Sequence, residues 1–335
     1  MDVTVVIPVY KTGDMLFKLF RSLENQSYNK FSVMIVYKEW DGYTKVLERI
    51  KDFGGLDIDV VKQDEGRFEE ALNTVYRKAD GDIVIHTDDD AFVSDNWVRD
   101  HIELHHKYEM VGMATGVVDE STLPDGRPVP PLTKFINRYK WRMNKHTLID
   151  APIDKKFIGY GMYIGVSGML VDTGKRFNMI KTFRQHGVNM SWKREALHRF
   201  RLPCYTKQGG RNEASAALEV LKRGYVPVWF ENGLVHHPLQ ESDSRSISVA
   251  TIPRELTSES VLFSYYVDHF SDYDVDLGAL RLRTTIDDLV SRMITLNRND
   301  GYAIGYKLTE LAVSENWQPS KVREELIKTL NVGVI

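Results

Sequence analysis

Through its first hundred residues the chain alternates short β-branched runs with helix-period apolar stripes, and few folds accommodate that alternation. Val3 to Val9, Phe31 to Tyr37, Ile58 to Val61 and Asp82 to His86 read as strands. Between the first two, Met15, Leu16, Leu19, Phe20 and Leu23 share one helical stripe. Val46, Leu47, Ile50 and Phe53 mark a second helix, and Phe68, Ala71, Leu72, Val75 and Ala79 a third. Strands joined through helices are parallel neighbours, so this half predicts a helix-covered parallel sheet of the nucleotide-binding kind, with ligands at the carboxyl ends of the strands.

Beyond Trp97 the alternation loosens. A strand at Met110 to Val118 leads into a Pro-rich loop, Pro124 to Pro131. A helix from Asn212 to Arg223, closed by Gly224, precedes a strand at Tyr225 to Phe230. From Pro253 the pattern is helical: Leu256 to Phe270, Leu277 to Leu296, Tyr302 to Glu315 and Ser320 to Leu330. No internal repeat or low-complexity tract interrupts it. With 335 residues, 42% of them apolar, the chain can bury a sizeable core.

A net charge of −3 hides a strong asymmetry: Lys134 to Arg211 holds 17 basic and 4 acidic residues, an excess of +13 that the rest of the chain offsets with −16. Such a stretch invites a phosphate-rich partner, or pairs internally with the acidic remainder. The single cysteine, Cys204, excludes an intramolecular disulfide and a Cys-based zinc cluster. Met1-Asp2-Val3-Thr4 lacks a basic n-region, and no uncharged run is long enough to span a bilayer. The expectation is a cytoplasmic protein whose membrane contact, if any, is peripheral.

The sharpest local feature is Asp82-Ile83-Val84-Ile85-His86-Thr87-Asp88-Asp89-Asp90, an apolar strand ending in three adjacent carboxylates. Like charges crowded at a strand end are costly unless a cation neutralises them, and Mg²⁺ or Mn²⁺ suits an oxygen-rich site that leaves coordination positions for a diphosphate. A solvated acidic turn is the plainer alternative.

The succession of motifs resembles the family 2 glycosyltransferases. Val5-Val6-Ile7-Pro8-Val9-Tyr10, followed by Leu16, Leu19, Ser22-Leu23 and Gln26, is similar to that family's first strand and helix. Gly66, Ala71-Leu72-Asn73, Ala79 and Gly81-Asp82 resemble the approach to its metal-binding D-x-D motif. Gly187-Val188-Asn189-Met190-Ser191 with Arg194-Glu195-Ala196-Leu197 is similar to the acceptor-side segment, and Gly224-Tyr225 through Val235-His236 to the closing strands. The resemblance spans roughly residues 3 to 240. It implies an α/β fold of the GT-A type: a Rossmann-like mixed sheet flanked by helices, with an α-helical C-terminal extension. Residues 1–252 would form the catalytic domain, divided into a nucleotide-binding half (1–100) and an acceptor half (101–252), and 253–335 the extension.

Position by position, the resemblance implies that Asp88 and Asp90 hold the metal, Asp90 by direct contact and Asp88 facing the ribose or a metal-bound water, with Asp89 beside the nucleotide sugar. His236 matches a histidine that completes the metal shell in some relatives, and an imidazole suits Mn²⁺. Pro8, Val9 and Tyr10 would line the base, Arg67 would offset donor charge, and Glu39 and Asp41 stand as alternatives for a base contact. The family's acidic pair ahead of Gly224-Tyr225 reads here Asn212-Glu213, which makes Glu213 the candidate general base. Gly187, Asn189 and Trp192 fall on the acceptor side, where Trp192 and Tyr160 are candidate sugar platforms.

The implied reaction moves a sugar from a UDP- or GDP-sugar to an acceptor hydroxyl, inverting at the anomeric carbon, with a retaining course open if Glu213 does not reach the hydroxyl. The basic stretch suggests an anionic acceptor (lipid-linked phosphate, glycan or nucleic acid) or an anionic membrane surface. The helical tail, with stripes such as Leu289, Met293 and Leu296, packs on the catalytic domain or on a second copy in a homo-oligomer. Two other classes stay open: a sugar-nucleotide nucleotidyltransferase, whose Gly-rich loop Pro8 to Gly13 lacks, and a nucleic-acid- or membrane-binding module that has lost catalysis.

Overall fold

A computed structural model describes residues 2–11, 13–63, 66–123, 126–129, 150–175, 177–238, 254–295 and 300–332. The predicted alternation is present: β1 (Val3–Val9), α1 (Asp14–Glu24), β2 (Ser32–Tyr37), α2 (Tyr43–Ile50), β3 (Asp57–Lys62), α3 (Phe68–Lys78) and β4 (Ile83–His86). There follow β5 (Phe92–Val93), α4 (Trp97–Lys107), β6 (Val111–Thr115), β7 (Val118–Asp119), β8 (Met162–Ile164), β9 (Leu170–Asp172), β10 (Met179–Lys181) and β11 (Met190–Lys193). Then come α5 (Arg194–Leu197), α6 (Asn212–Lys222), β12 (Val226–Phe230) and β13 (Val235–His236). The extension comprises α7 (Arg254–Phe270), α8 (Leu277–Thr295), α9 (Gly301–Ser314) and α10 (Pro319–Val332).

The main sheet runs β10-β12-β6-β11-β4-β1-β2-β3. β1 to β4 are mutually parallel, and β11 inserts antiparallel between β4 and β6, which makes the sheet mixed. β1 and β4 are buried on both faces, which explains their continuous apolar runs. On β1, Val5 and Ile7 face one core with Leu16, Phe20 and Trp97, while Val6 faces the other with Leu72, Trp192 and Leu218. Acidic Glu69 and Glu70 open α3 and basic Arg77 and Lys78 close it, matching the helix dipole.

Met110 to Val118 reads as one strand in sequence but is two elements. β6 stays in the main sheet, and β7 leaves it to join a small sheet, β5-β13-β7. The break falls at Gly116, where a Cβ would lie 2.5 Å from the carbonyl oxygens of Asn232 and Gly233, so only glycine lets the two chains pass.

The extension shares the second core: Leu262, Phe263, Tyr265, Ile304 and Leu326 join Trp192 and Leu218 in one apolar cluster. A buried ion network reinforces the contact. Arg283 of α8 meets Asp150 at 2.6 Å and Asp287 at 3.1 Å, and Asp150 also accepts Ser167 Oγ at 2.6 Å. The boundary expected at residues 252 and 253 lies outside the described residues, as does Leu296. Among the described residues no helix is long and apolar enough to cross a membrane.

Removing one partner of a buried ion pair strands the other charge, at about 3–5 kcal/mol. Arg283→Ala is therefore expected to lower the chemical-denaturation midpoint by an amount equivalent to about 3 kcal/mol. A loss below about 1 kcal/mol would show that apolar contacts alone dock the extension.

Candidate active site

β4 lies between β1 and β11 with Val6 opposite His86, so its carboxyl end emerges beside the end of β1. Residues 83–87 are buried, and Asp88, Asp89 and Asp90 follow at the half-buried rim. The small sheet brings a second chain to this point: β13 pairs antiparallel with β5, Val235 opposite Val93 and His236 opposite Phe92. Immediately after β13, His237 Nε2 lies 3.1 Å from Asp90 Oδ1. One ligand atom each from Asp88, Asp90 and His237 fall within 4.8 Å of one another.

The histidine beside the carboxylates is thus His237, and the expectation of His236 is corrected by one residue. Successive side chains of an extended segment point to opposite faces. His236 accordingly turns away, stacking on Phe92 at 5.0 Å and placing Nδ1 3.1 Å from Asp119 Oδ2. Two carboxylates and one imidazole form a mixed oxygen and nitrogen donor set, which suits Mn²⁺ better than the all-oxygen preference of Mg²⁺.

Glu213, in the first turn of α6, lies within electrostatic reach of Asp88. A Cβ on Gly187 would sit 2.9 Å from Glu213 Oε1, so the absence of a side chain there gives the carboxylate its place. The residue is half-buried. Burial, reinforced by the charge of Asp88, pushes its pKa up to about 7, against hydrogen bonds from its own and the Gly187 backbone N–H.

Gly187 is fixed in turn by His86, whose Nδ1 bonds the Gly187 carbonyl. Because a carbonyl only accepts, Nδ1 carries the proton. Burial also depresses the pKa of His86, so the ring is neutral and its Nε2 is a bare acceptor with no hydrogen-bond partner among the described residues.

Two of the residues expected at the acceptor are instead framework. Asn189 is fully buried: its Oδ1 accepts Trp97 Nε1 at 2.9 Å and faces His101 Nε2 at 3.0 Å, and its Nδ2 donates to the Val117 and Gly233 carbonyls at 2.8 and 2.6 Å. Trp192 is buried edge-on against Tyr76, and Tyr160 is buried against Phe157 and Phe183. None of these three can meet a sugar without opening the core, whereas Gly187 lies against Glu213. Sequence reasoning missed His237 and the buried His86; the only available signal for His237 was the parity of the strand before it.

At the nucleotide side, Pro8 and Val9 are buried and Tyr10 is exposed, its ring edge-on to Trp40 at 6.4 Å. Glu39 is engaged by Lys62 at 2.8 Å, and the hydrogen bond from Lys62 holds its pKa below the usual value. Asp41 is exposed, and Arg67, exposed at the start of α3, donates from Nη1 to the Lys207 carbonyl at 3.0 Å. In the basic stretch, Lys134 to Lys145 and Arg176 lie outside the described residues. Farther along, Lys156, Arg184, Arg194, Arg201 and Lys207 pair with Asp154, Asp172, Asp82, Glu70 and Glu255, so part of the described stretch is balanced locally.

Residues 4–160 match the family model of glycosyl transferase family 2. The fold is similar to that of the mannosyltransferase PcManGT from Pyrobaculum calidifontis in complex with GDP-Man and Mn²⁺, with a TM-score of 0.53 at 15% identity over 99% of this chain and 76% of that one. It is also similar to S. aureus TarS 1–349 in complex with UDP-GlcNAc (TM-score 0.52, 12% identity, 99% and 92% covered). GalNAc-T7 with UDP, GalNAc and Mn²⁺ gives a TM-score of 0.54 at 13% identity, and this chain covers 58% of its length while 98% of this chain is covered. No curated protein sequence matches. Identities this low speak to the fold alone, and the fold is the mixed α/β sheet with flanking and C-terminal helices that the resemblance implies.

Asn189→Ala strands several buried donors and acceptors, each costing about 1–3 kcal/mol. Its expected effect is a lowered unfolding midpoint. A variant of wild-type stability with only a raised acceptor KM would return Asn189 to the acceptor site.

Proposed function

Because residues 4–160 match glycosyl transferase family 2 and the fold is that of GT-A glycosyltransferases, we propose that the protein transfers a hexose from a UDP- or GDP-sugar to an acceptor hydroxyl with inversion, using a divalent cation. The observation that carries this reading is the convergence of Asp88, Asp90 and His237 on one point, with Glu213 within electrostatic reach of Asp88.

Asp88, Asp90 and His237 would hold the cation, and Mn²⁺ fits this donor set better than Mg²⁺. When bound, it would supply positive charge to the diphosphate oxygens as they leave. Tyr10 would offer its exposed ring to the base, with Pro8 and Val9 shaping the strand end beneath it. Arg67 would offset donor charge, and exposed Asp41, rather than the Lys62-bound Glu39, would accept a hydrogen bond from the base. Asp89 would border the nucleotide sugar.

Glu213 would take the proton of the acceptor hydroxyl as its oxygen bonds the anomeric carbon. The bond from that carbon to the diphosphate breaks on the opposite face, which inverts the centre. A carboxyl titrating near neutral pH suits a general base, since it is substantially ionised at pH 7 and remains basic enough to accept the proton.

Asp90→Ala is expected to remove the Mn²⁺-dependent part of UDP or GDP binding in calorimetry while leaving the circular dichroism spectrum unchanged; undiminished metal-dependent affinity would refute the assignment. Glu213→Gln should lower transfer by about 10²–10⁴-fold with donor affinity retained. Since the raised pKa leaves Glu213 protonated below it, kcat of the wild type should rise with pH through about 7 and level off above. The same limb in the residual activity of Glu213→Gln would place the base elsewhere.

A further inference from the structure

β4 ends in a residue that does not match its surroundings. His86 lies opposite Val6 of β1 and Met190 of β11 and two residues beyond Val84, all three members of the second apolar core. Its ring leans on Trp192 with centroids 6.5 Å apart. The side chain is fully buried, and Nε2 meets no hydrogen-bond partner among the described residues. A buried acceptor left without a donor costs about 1–3 kcal/mol, and an apolar side chain of similar shape would remove that cost. Stability alone therefore does not account for a histidine here.

What the histidine supplies is one donor. Its Nδ1–H bonds the carbonyl of Gly187, in the turn that leads into β11. Gly187 is likewise out of keeping with its place, because its φ lies outside the left-handed region and the backbone does not require a glycine. The requirement comes from Glu213. A Cβ at position 187 would meet Glu213 Oε1 at 2.9 Å, Cδ at 3.8 Å and Cγ at 3.9 Å, and these are the three heavy atoms nearest to it. The space that the missing side chain leaves is thus taken by the carboxylate.

A glycine also has the backbone with the most freedom to turn. On either side of it the chain is held: His186 N–H donates to Thr115 Oγ1 at 3.2 Å, and the Asn189 side chain donates to the Val117 and Gly233 carbonyls. The bond from His86 fixes the 187 carbonyl itself, and with it the residue against which Glu213 rests. The contacts run from β4 through His86 Nδ1 and Gly187 to Glu213 Oε1, and β4 also leads directly into Asp88.

We propose that His86 is a positioning residue: through Gly187 it holds the Glu213 carboxylate where it takes the proton of the acceptor. The proposal rests on Glu213 as the base. The test uses the full chain with Mn²⁺ and whichever of UDP-glucose, UDP-N-acetylglucosamine and GDP-mannose the wild type hydrolyses fastest. Water stands in for the acceptor: its oxygen bonds the anomeric carbon, the bond to the diphosphate breaks, and Glu213 takes the proton. His86→Leu should lower kcat by about tenfold to a hundredfold, with donor KM unchanged and Tm no lower than that of the wild type. His86→Asn, whose side-chain amide keeps an N–H donor near the position of Nδ1, should recover most of that kcat. Gly187→Ala should lower kcat by about tenfold at unchanged Tm, because the added methyl displaces the far end of a flexible side chain. In the Glu213→Gln background, His86→Leu should lower kcat no further.

A fall in Tm for His86→Leu, an unchanged kcat, or an equal loss in the Glu213→Gln background overturns the proposal and leaves the base assignment standing. Near-normal turnover by Glu213→Gln removes the base assignment, and a wild type that hydrolyses none of the three donors removes the function. Either result takes the proposal with it.

Discussion

Negative charge gathered at the end of a strand that cannot move is the constraint from which the site follows. β4 is enclosed on both faces and hydrogen-bonded on both edges, so Asp88, Asp89 and Asp90 emerge at a fixed point. Their mutual repulsion is tolerable only where positive charge can be brought to them, and the same field helps keep the Glu213 carboxyl titrating near neutrality. A more flexible element would relax the carboxylates into solvent and lose both effects.

Beneath this point the protein places neutral hydrogen-bonding groups. Asn189 ties α4, β6 and the segment before β13 together, and His101 and His105 converge on Ser191 Oγ at 2.7 and 2.8 Å. Burial pushes His101 down to about 3 and His105 to about 4, so both stay uncharged at neutral pH and act as rigid spacers. With His86 bracing Gly187, this layer is buried, polar and connected, and it supports the strand end without adding charge.

The extension is structural and local to the site at once. Its apolar residues complete the core behind Trp192, Tyr266 OH donates to the Ser215 carbonyl of α6 at 3.3 Å, and Glu259 gathers the loop ahead of Glu213. The Tyr266 and Glu259 contacts bear on α6 and on the loop that leads into it, so the extension helps to hold Glu213 in place.

Periodicity by itself determined the parallel half of the sheet, its covering helices and the helical tail, because alternating burial leaves a mark at every turn and every second residue. It also set the acidic triplet at a strand end and Glu213 at a helix start, both of which are local statements. What only the tertiary structure decided were matters of facing and depth: that β7 leaves the main sheet at Gly116, that His237 and not His236 turns toward Asp90, and that Asn189 and Trp192 lie inside the core. Such outcomes depend on how chains distant in sequence cross one another. A one-residue change of parity, or one more layer of helices, reverses which side of a residue meets water, and no local pattern records it.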